Sequence, residues 1–370
     1  MIFQIIYAIT FISLLIYLFY LRLFYVGLKN RNVNFVNSKP FVSVVVAARN
    51  EENNIARILT ALVNQTYPLD LFQIIIANDN STDKTASIVD QFSQKWDIIK
   101  LVNVIGREKV ISPKKNALSQ AIEMAEGEII LSTDADCLVG KYWIESMVAS
   151  FDKNEMIIGF SRTILEDWAK TSFIKKFEHF DFLAMLYAAA GAISSGKYFS
   201  CSGQNIAYKK EAFYEVGGFE KIKHLISGDD VNLMQLFRKS GMKVSFVFTD
   251  HSYVYTQPIR NVGKFLSQRS RWTSNMRWQI ILNPEFFVYL SSVFFITFLP
   301  IVILFDFWQL GVGILLLRVI LELVFLKYGY EVFGENKKKL MFYPVWFIMQ
   351  PLYIITIAAM GGLNIFSWKK

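Results

Sequence analysis

The chain has 370 residues, 53% of them hydrophobic and only 19% charged, with 33 phenylalanines among them. That charge content falls below the roughly 25% usual for soluble domains, which excludes disordered, collagen-like and simple soluble classes. Two cysteines cannot build a disulfide framework, no Cys/His spacing resembles a zinc site, and the net charge of +8 asks for an anionic partner.

The apolar residues are gathered into runs. Met1–Leu21 and Phe286–Phe305 carry no charged side chain, Phe307–Leu326 carries Arg318 and Glu322, and Leu340–Phe366 is again uncharged. Each is long enough for the roughly 20 residues a bilayer crossing needs. The first run lacks a basic leader and a small-residue cleavage site, which predicts a retained anchor rather than a cleaved signal peptide. Arg22, Lys29, Arg31 and Lys39 follow it, so the positive-inside rule places the amino terminus outside and residues 29–285 in the cytoplasm. The next two runs form a hairpin returning at Lys327, and Lys337, Lys338 and Lys339 mark a cytoplasmic loop. A fourth crossing would leave Lys369 and Lys370 outside, against the rule; a re-entrant or interfacial segment removes the conflict. The expected plan is an anchor over 1–28, a cytoplasmic domain over 29–285 and a region of about three helices over 286–370.

Within the cytoplasmic segment the periods change. Phe41–Ala47 reads as a buried strand, Glu51–Gln65 as a helix, Phe72–Ala77 as a strand and Lys84–Trp96 as a helix. The apolar run Ile98–Ile105 follows, then a helix over Lys114–Ala125, which leads through Gly127 into a strand over Glu128–Ser132. This alternation predicts an α/β fold with a mostly parallel, doubly wound sheet, whose ligands sit at the carboxyl ends of the strands. Polar clusters stand at those ends: Arg49-Asn50-Glu51, Asn78-Asp79-Asn80-Ser81-Thr82-Asp83 and Thr133-Asp134-Ala135-Asp136-Cys137. Ser81 and Thr82 fit helix capping and ligand contact equally well. Asp134 and Asp136, at i and i+2, point to the same side and would repel. A hard cation, Mg²⁺ or Mn²⁺, removes that conflict and completes its shell with substrate phosphates.

Further on, the apolar stretch Phe182–Ile193 is too short to span, and reads as a core helix or as the wall of an acceptor groove. His179 and His224 read as structural, and Cys137 and Cys201 as packing residues. Arg318 and Glu322, four apart, can pair on one helix face.

Seven motifs occur in order: Val-Ala-Ala-Arg-Asn-Glu-Glu (46–52), Asn-Asp-Asn-Ser-Thr-Asp (78–83), Lys-Lys-Asn-Ala-Leu (114–118), Ser-Thr-Asp-Ala-Asp-Cys (132–137), Cys-Ser-Gly-Gln-Asn-Ile-Ala-Tyr (201–208) with Val-Gly-Gly-Phe (216–219), Gly-Asp-Asp-Val-Asn-Leu (228–233) and Gln-Arg-Ser-Arg-Trp (268–272). Over about residues 41–275 the chain resembles the family-two glycosyltransferases of GT-A fold, the cellulose-synthase-like membrane branch included. The resemblance implies that Asn50, Glu51 and Asp79 hold the uracil and ribose of a UDP-sugar, with Lys114 near the phosphates. It makes Asp134 and Asp136 the Asp-x-Asp pair, the second being the metal ligand, and Asp230 the catalytic base. It sets Gln268, Arg271 and Trp272 near the acceptor end, Arg271 gripping the diphosphate. The chain departs from the family's Asp-Asp at Asn78-Asp79 and from its Glu-Asp at Asp229-Asp230.

The residue types suit that chemistry. Asp230 as a carboxylate can accept the acceptor hydroxyl's proton, although Asp229-Asp230 could also cap a helix starting at Val231. Gln268, Arg271 and Trp272 share a helix face, in a basic and aromatic stretch with Arg260, Lys264, Arg269, Arg271, Arg277 and Trp278 that also suits an interfacial helix. The positive charge is assigned to anionic lipid headgroups and diphosphates, with no nucleic-acid partner. The expectation is a multi-pass enzyme of a bacterial inner membrane, moving a sugar from a UDP-sugar to a lipid or lipid-linked glycan with inversion. A short processive polysaccharide synthase and an inactive scaffold for glycan enzymes are the alternatives.

Overall fold

The computed structural model describes residues 1–31, 38–106 and 112–366, with the side chains of residues 276, 277 and 279 also left aside. Lys369 and Lys370, on which the orientation of the last apolar run turned, lie outside these residues, as does the Arg277 side chain.

In chain order the elements are α1 (Ile2–Lys29), β1 (Val42–Ala48), α2 (Ile55–Val63), β2 (Phe72–Asn78), α3 (Thr85–Ser93), β3 (Ile99–Asn103), α4 (Pro113–Glu123), β4 (Ile129–Asp134), β5 (Leu138–Val139) and α5 (Trp143–Val148). There follow β6 (Met156–Ile158), β7 (Ser161–Thr163), α6 (Phe173–Ser194), β8 (Ile206–Lys209), α7 (Lys210–Glu215), α8 (Val231–Lys239), β9 (Val244–Phe246) and β10 (Val254–Thr256). The chain closes with α9 (Val262–Thr273), α10 (Met276–Leu282), α11 (Pro284–Ile303), α12 (Trp308–Val332) and α13 (Tyr343–Gly362).

These elements form two compact units, each made of separated stretches of chain: Asn32–Leu165 with Ser200–Pro258, and Met1–Arg31 with Glu166–Phe199 and Ile259–Lys370. The first holds every strand. Its seven-stranded sheet runs β3-β2-β1-β4-β8-β6-β9, with β3, β2, β1 and β4 parallel, and a small sheet runs β5-β10-β7. Strand β8 is antiparallel to β4 and β6. The α/β reading and the mostly parallel sheet therefore hold, with β1 to β4 within a residue or two of their expected places; the sequence reading places no strand at β5 to β10. Strands β1 and β2 are buried almost throughout, because β-branched residues fill both faces. The core joins Val44, Val46, Ile74, Ile76 and Leu131 to Ile58 and Leu62 of α2 and to Trp143 and Met147 of α5. In-register pairing sets the ends of β1, β2 and β4 level, so that Ala48 faces Asn78 and Ala47 faces Asp134.

The second unit is helical. The described residues include four helical segments long and apolar enough to cross a membrane: Ile2–Lys29, Pro284–Ile303, Trp308–Val332 and Lys337–Gly362. The apolar stretch around Phe182–Ile193 belongs to this unit, inside a helix of 22 residues. It lies against α1: a Cβ on Gly27 would come within 1.9 Å of the Gly191 carbonyl oxygen, and one on Gly191 within 2.2 Å of the Phe24 carbonyl oxygen. Only glycines allow two helix backbones to meet so closely, the device apolar helices use where burial alone gives little drive to associate. The Ser195 hydroxyl donates to the Leu23 carbonyl at the same crossing, 2.9 Å away.

Arg318 and Glu322 pair within α12 as the four-residue spacing predicts, at 2.7 Å. The pair is the centre of a buried network. Arg318 also donates to Thr297 (2.9 Å) and to Gln350, while Glu322 accepts from Tyr17 (2.5 Å) and Tyr343 (2.8 Å). One charge pair thus ties α1, α11, α12 and α13 together.

Candidate active site

At the carboxyl edge of the parallel strands, two loops are laced together by hydrogen bonds. Asn50 and Asn80 both take left-handed backbone angles (φ 52° at each), which asparagine tolerates better than most residues. The Asn50 side chain accepts from the Thr82 amide (2.8 Å), the Asn50 amide donates to the Ser81 hydroxyl (3.1 Å), and the Glu51 amide donates to Thr85 Oγ1 (2.8 Å). Asp83, rather than Ser81 or Thr82, accepts from the Thr85 amide where α3 begins, at 2.9 Å. Ser81 and Thr82 thus bridge to the neighbouring loop. Asn78 accepts from the Ser81 amide and donates to Asn103, and Asp79 sits beside the Arg49 guanidinium at 3.9 Å. Glu51 and Asp79 are both buried.

The next strand end carries the acidic pair. Ligand atoms of Asp134, Asp136 and Cys137 all lie within 4.8 Å of one another. Burial, with Asp134 and Asp136 adding to it, pushes the Cys137 thiol well above its usual range, so the sulfur stays protonated. The two carboxylates beside it are oxygen donors, which fit a hard divalent cation.

Lys114, in the first turn of α4, reaches across to this pair. Its ammonium lies 2.8 Å from Asp134 and 2.8 Å from Asp229, joining the strand end to the loop ahead of α8. Burial works against its charge, but the two carboxylates prevail and raise its pKa. Asp229 is correspondingly held low, burial being outweighed by Lys114. Asp230 moves the other way, up to about 6, through burial and the neighbouring Asp229 charge. Its carboxylate accepts from the Gly203 and Val231 amides, each at 2.7 Å. Asp230 therefore caps α8, one of the two roles that the sequence leaves open for it.

Sequence reasoning missed Lys115 and Gly203. Lys115 is buried, and its ammonium donates to the carbonyls of Ile222 and Ser227, each at 3.1 Å, and of Leu225. It thereby gathers the loop that delivers Asp229 and Asp230, at the expense of a pKa lowered by burial to about 8. Nothing in the adjacent pair Lys114-Lys115 tells which lysine faces the carboxylates. Gly203 brings its amide to Asp230 from the Cys201–Tyr208 motif, where a Cβ would stand 3.2 Å from the Asp230 carboxylate.

The remaining sequence-predicted residues, Gln268, Arg271 and Trp272, belong to the helical unit, on α9. That helix is capped by Asn261, which accepts from the Lys264 amide at 2.9 Å. Between these three residues stands Arg269, buried, with its guanidinium 4.2 Å from the Trp272 ring centre.

Level strand ends, an acidic pair at the end of β4 and a lysine-linked second acidic pair gather the charged groups of the sheet unit along the edge where open α/β sheets bind ligands. Residues 43–217 match the family described as "Glycosyl transferase family 2". Two curated relatives and one solved structure place it further. The chain is 28% identical over 248 residues to the probable glycosyltransferase YdaM of Bacillus subtilis, covering 65% of this chain and 56% of that one. It is 35% identical over 119 residues to the beta-monoglucosyldiacylglycerol synthase of a Nostoc species, covering 32% of this chain and 25% of that one. The matched segments thus span little more than half of the first relative and a quarter of the second. A mannosyltransferase from Pyrobaculum calidifontis, in complex with GDP-Man and Mn²⁺, shares the fold with a TM-score of 0.63 at 19% identity, over 98% of each chain.

Proposed function

We propose that the chain transfers a sugar from a nucleotide-sugar donor, a UDP-sugar, to a lipid or lipid-linked glycan, inverting the anomeric centre. The single observation that carries this reading is the bridge of Lys114 between Asp134 and Asp229, which gathers two carboxylates and an ammonium where a diphosphate and a sugar would meet. Asn50, Glu51 and Asp79 sit on the laced loops at the ends of β1 and β2, suited to hold base and ribose. Asp134 and Asp136 would hold Mg²⁺ or Mn²⁺. Such an ion neutralises the diphosphate so that it can depart without a protein acid.

Asp230 supplies the base. A carboxylate pushed up to about 6 is ionised at neutral pH yet basic enough to accept a proton as an acceptor oxygen attacks. The Gly203 and Val231 amides fix its orientation, while Lys114, through Asp229, ties the base loop to the donor side. The bond from the attacking oxygen to the anomeric carbon forms as the carbon–phosphate-oxygen bond breaks, and the proton passes to Asp230. Gln268, Arg271 and Trp272 serve the acceptor and product side, with Arg271 toward the diphosphate. The four long apolar segments would cross the membrane, a bacterial inner membrane, leaving the sheet unit in the cytoplasm. A relative named for a lipid product supports a lipid acceptor.

The test is nucleoside diphosphate release by the purified full chain, given UDP-glucose, UDP-galactose, UDP-N-acetylglucosamine or GDP-mannose with Mn²⁺ or Mg²⁺, with and without lipid. Release that needs a divalent ion and disappears in Asp136→Ala and Asp230→Asn is expected. Release unchanged in both variants would sink the assignment.

A further inference from the structure

The residue best placed to organise the Gln268/Arg271/Trp272 face is one that the motif itself leaves unassigned. Arg269 is 3% exposed, so its guanidinium lies within the protein. Its Nη1 donates to the Gln268 side-chain oxygen at 2.8 Å, and its guanidinium carbon lies over the rings of Trp272 at 4.2 Å and Phe265 at 5.0 Å. One planar cation therefore touches two of the three motif side chains.

Its own place is set from two other helices. Asp181 of α6 accepts from Arg269 Nε at 3.1 Å, and the Tyr353 hydroxyl of α13 donates to the same Asp181 oxygen at 3.3 Å. Phe177, Phe265 and Tyr353 pack ring against ring around this point. Farther along, Thr273 donates to the Ile357 carbonyl at 2.9 Å, and a Cβ on Gly361 would meet Thr273 Oγ1 at 2.0 Å. Helix α13 is thus locked to α9 at both ends of the motif. Burial raises the nearby Glu178 carboxyl to about 7, against the pull of Arg269 and with Asp181 adding to the rise. Below that pH the charge facing Arg269 is that of Asp181.

We propose that Arg269 is the positioning residue of this motif, holding Gln268 by a hydrogen bond and Trp272 by stacking, with Asp181 and Tyr353 as its anchor. This rests on the functional reading above only in that the motif serves transfer; the geometry stands without it. A buried ion pair kept for stability alone would need the charge and not the fork. Lysine keeps the charge but cannot bond Asp181 and Gln268 while lying flat on an indole.

The full chain in detergent separates these cases through Arg269→Lys, with Trp272→Phe to isolate the Trp272 fluorescence by difference. Arg269→Lys should retain its thermal transition, increase acrylamide quenching of the Trp272 component, and lower nucleoside diphosphate release about tenfold to a hundredfold, as small misplacements near a reacting centre do. Tyr353→Phe, which removes only a hydroxyl, should move both readouts the same way by less, and it carries the comparison if the lysine variant does not fold. Quenching and turnover that both stay at the wild-type values would overturn the inference. A wild-type chain that turns over no donor would overturn the functional reading instead, leaving the quenching experiment to decide the role of Arg269.

Discussion

Two groups of buried charge, one in each unit, differ in a way that separates chemistry from scaffolding. In the helical unit, Arg318 and Glu322 are 2% and 7% exposed, and the hydroxyls and amide of Tyr17, Thr297, Tyr343 and Gln350 complete their bonding. The group is closed: its charges cancel, and its partners come from three other helices. In the sheet unit, Lys114 pairs with two carboxylates, Asp134 and Asp229, with Asp230 next to the second, and the Asp134 side chain keeps 29% of its surface open. That group carries surplus negative charge at an accessible edge. Burial with full pairing marks structure, whereas an unbalanced, partly open set marks a place for a charged ligand.

The contrast can be broken by substitution. Asp230→Asn removes the proposed base, so donor turnover should fall by about 10²- to 10⁴-fold, with only a modest drop in melting temperature as the side-chain NH2 ceases to accept from one of the two backbone amides. Glu322→Ala should do the reverse. It strands Arg318 in an apolar setting, at a cost of about 3–5 kcal/mol in stability that thermal unfolding in detergent would register. A melting temperature unchanged by that variant would contradict the closed-network account. Lys115→Met lies between the two, because it strips three carbonyls of their donor and loosens the loop that carries Asp229 and Asp230; about a tenfold loss of turnover is expected.

The pH dependence sharpens the same comparison. Because Asp230 must be ionised and titrates near 6, turnover should rise between pH 5 and 7 and level off above, with about a tenth of the plateau left at pH 5. The smallest effect is on stability, at Glu178. Its carboxyl is raised in the folded chain to about 7 from an unfolded value near 4.5, so the folded state holds the proton more tightly. Its contribution is fully present below about pH 4.5 and is lost as pH rises through 7. Glu178→Gln should therefore melt higher than wild type at pH 8 and no differently at pH 4.5.

Much of this was legible beforehand. The strand-and-helix alternation, the polar clusters at strand ends and the Arg318–Glu322 pair all follow from local spacing, and each sits where the spacing puts it. The division into units was not legible, because it depends on which distant stretches touch: α6 and α9 join the apolar helices, although their composition alone would leave them with the sheet. Lys115 was hidden for a related reason. Two adjacent lysines on a helix point about 100° apart, and only the path of residues 222–227 decides which is buried. Asp230 was read as base or cap, and the loop geometry gives its two oxygens to backbone amides without excluding either role.

The glycine crossing of α1 and α6 has a consequence for biogenesis. Helix α1 leaves the ribosome long before Gly191 exists, and at about 5–20 residues per second it waits roughly 10 to 30 seconds for its partner. During that interval its Gly27 face has no protein to meet, and the sheet unit still lacks β8, β9 and β10. Neither unit can close in the order in which it is synthesised. The helical unit completes last, after α13 has docked on α9, so a chain stalled short of residue 343 would carry every residue of the sheet site but an unbraced motif helix.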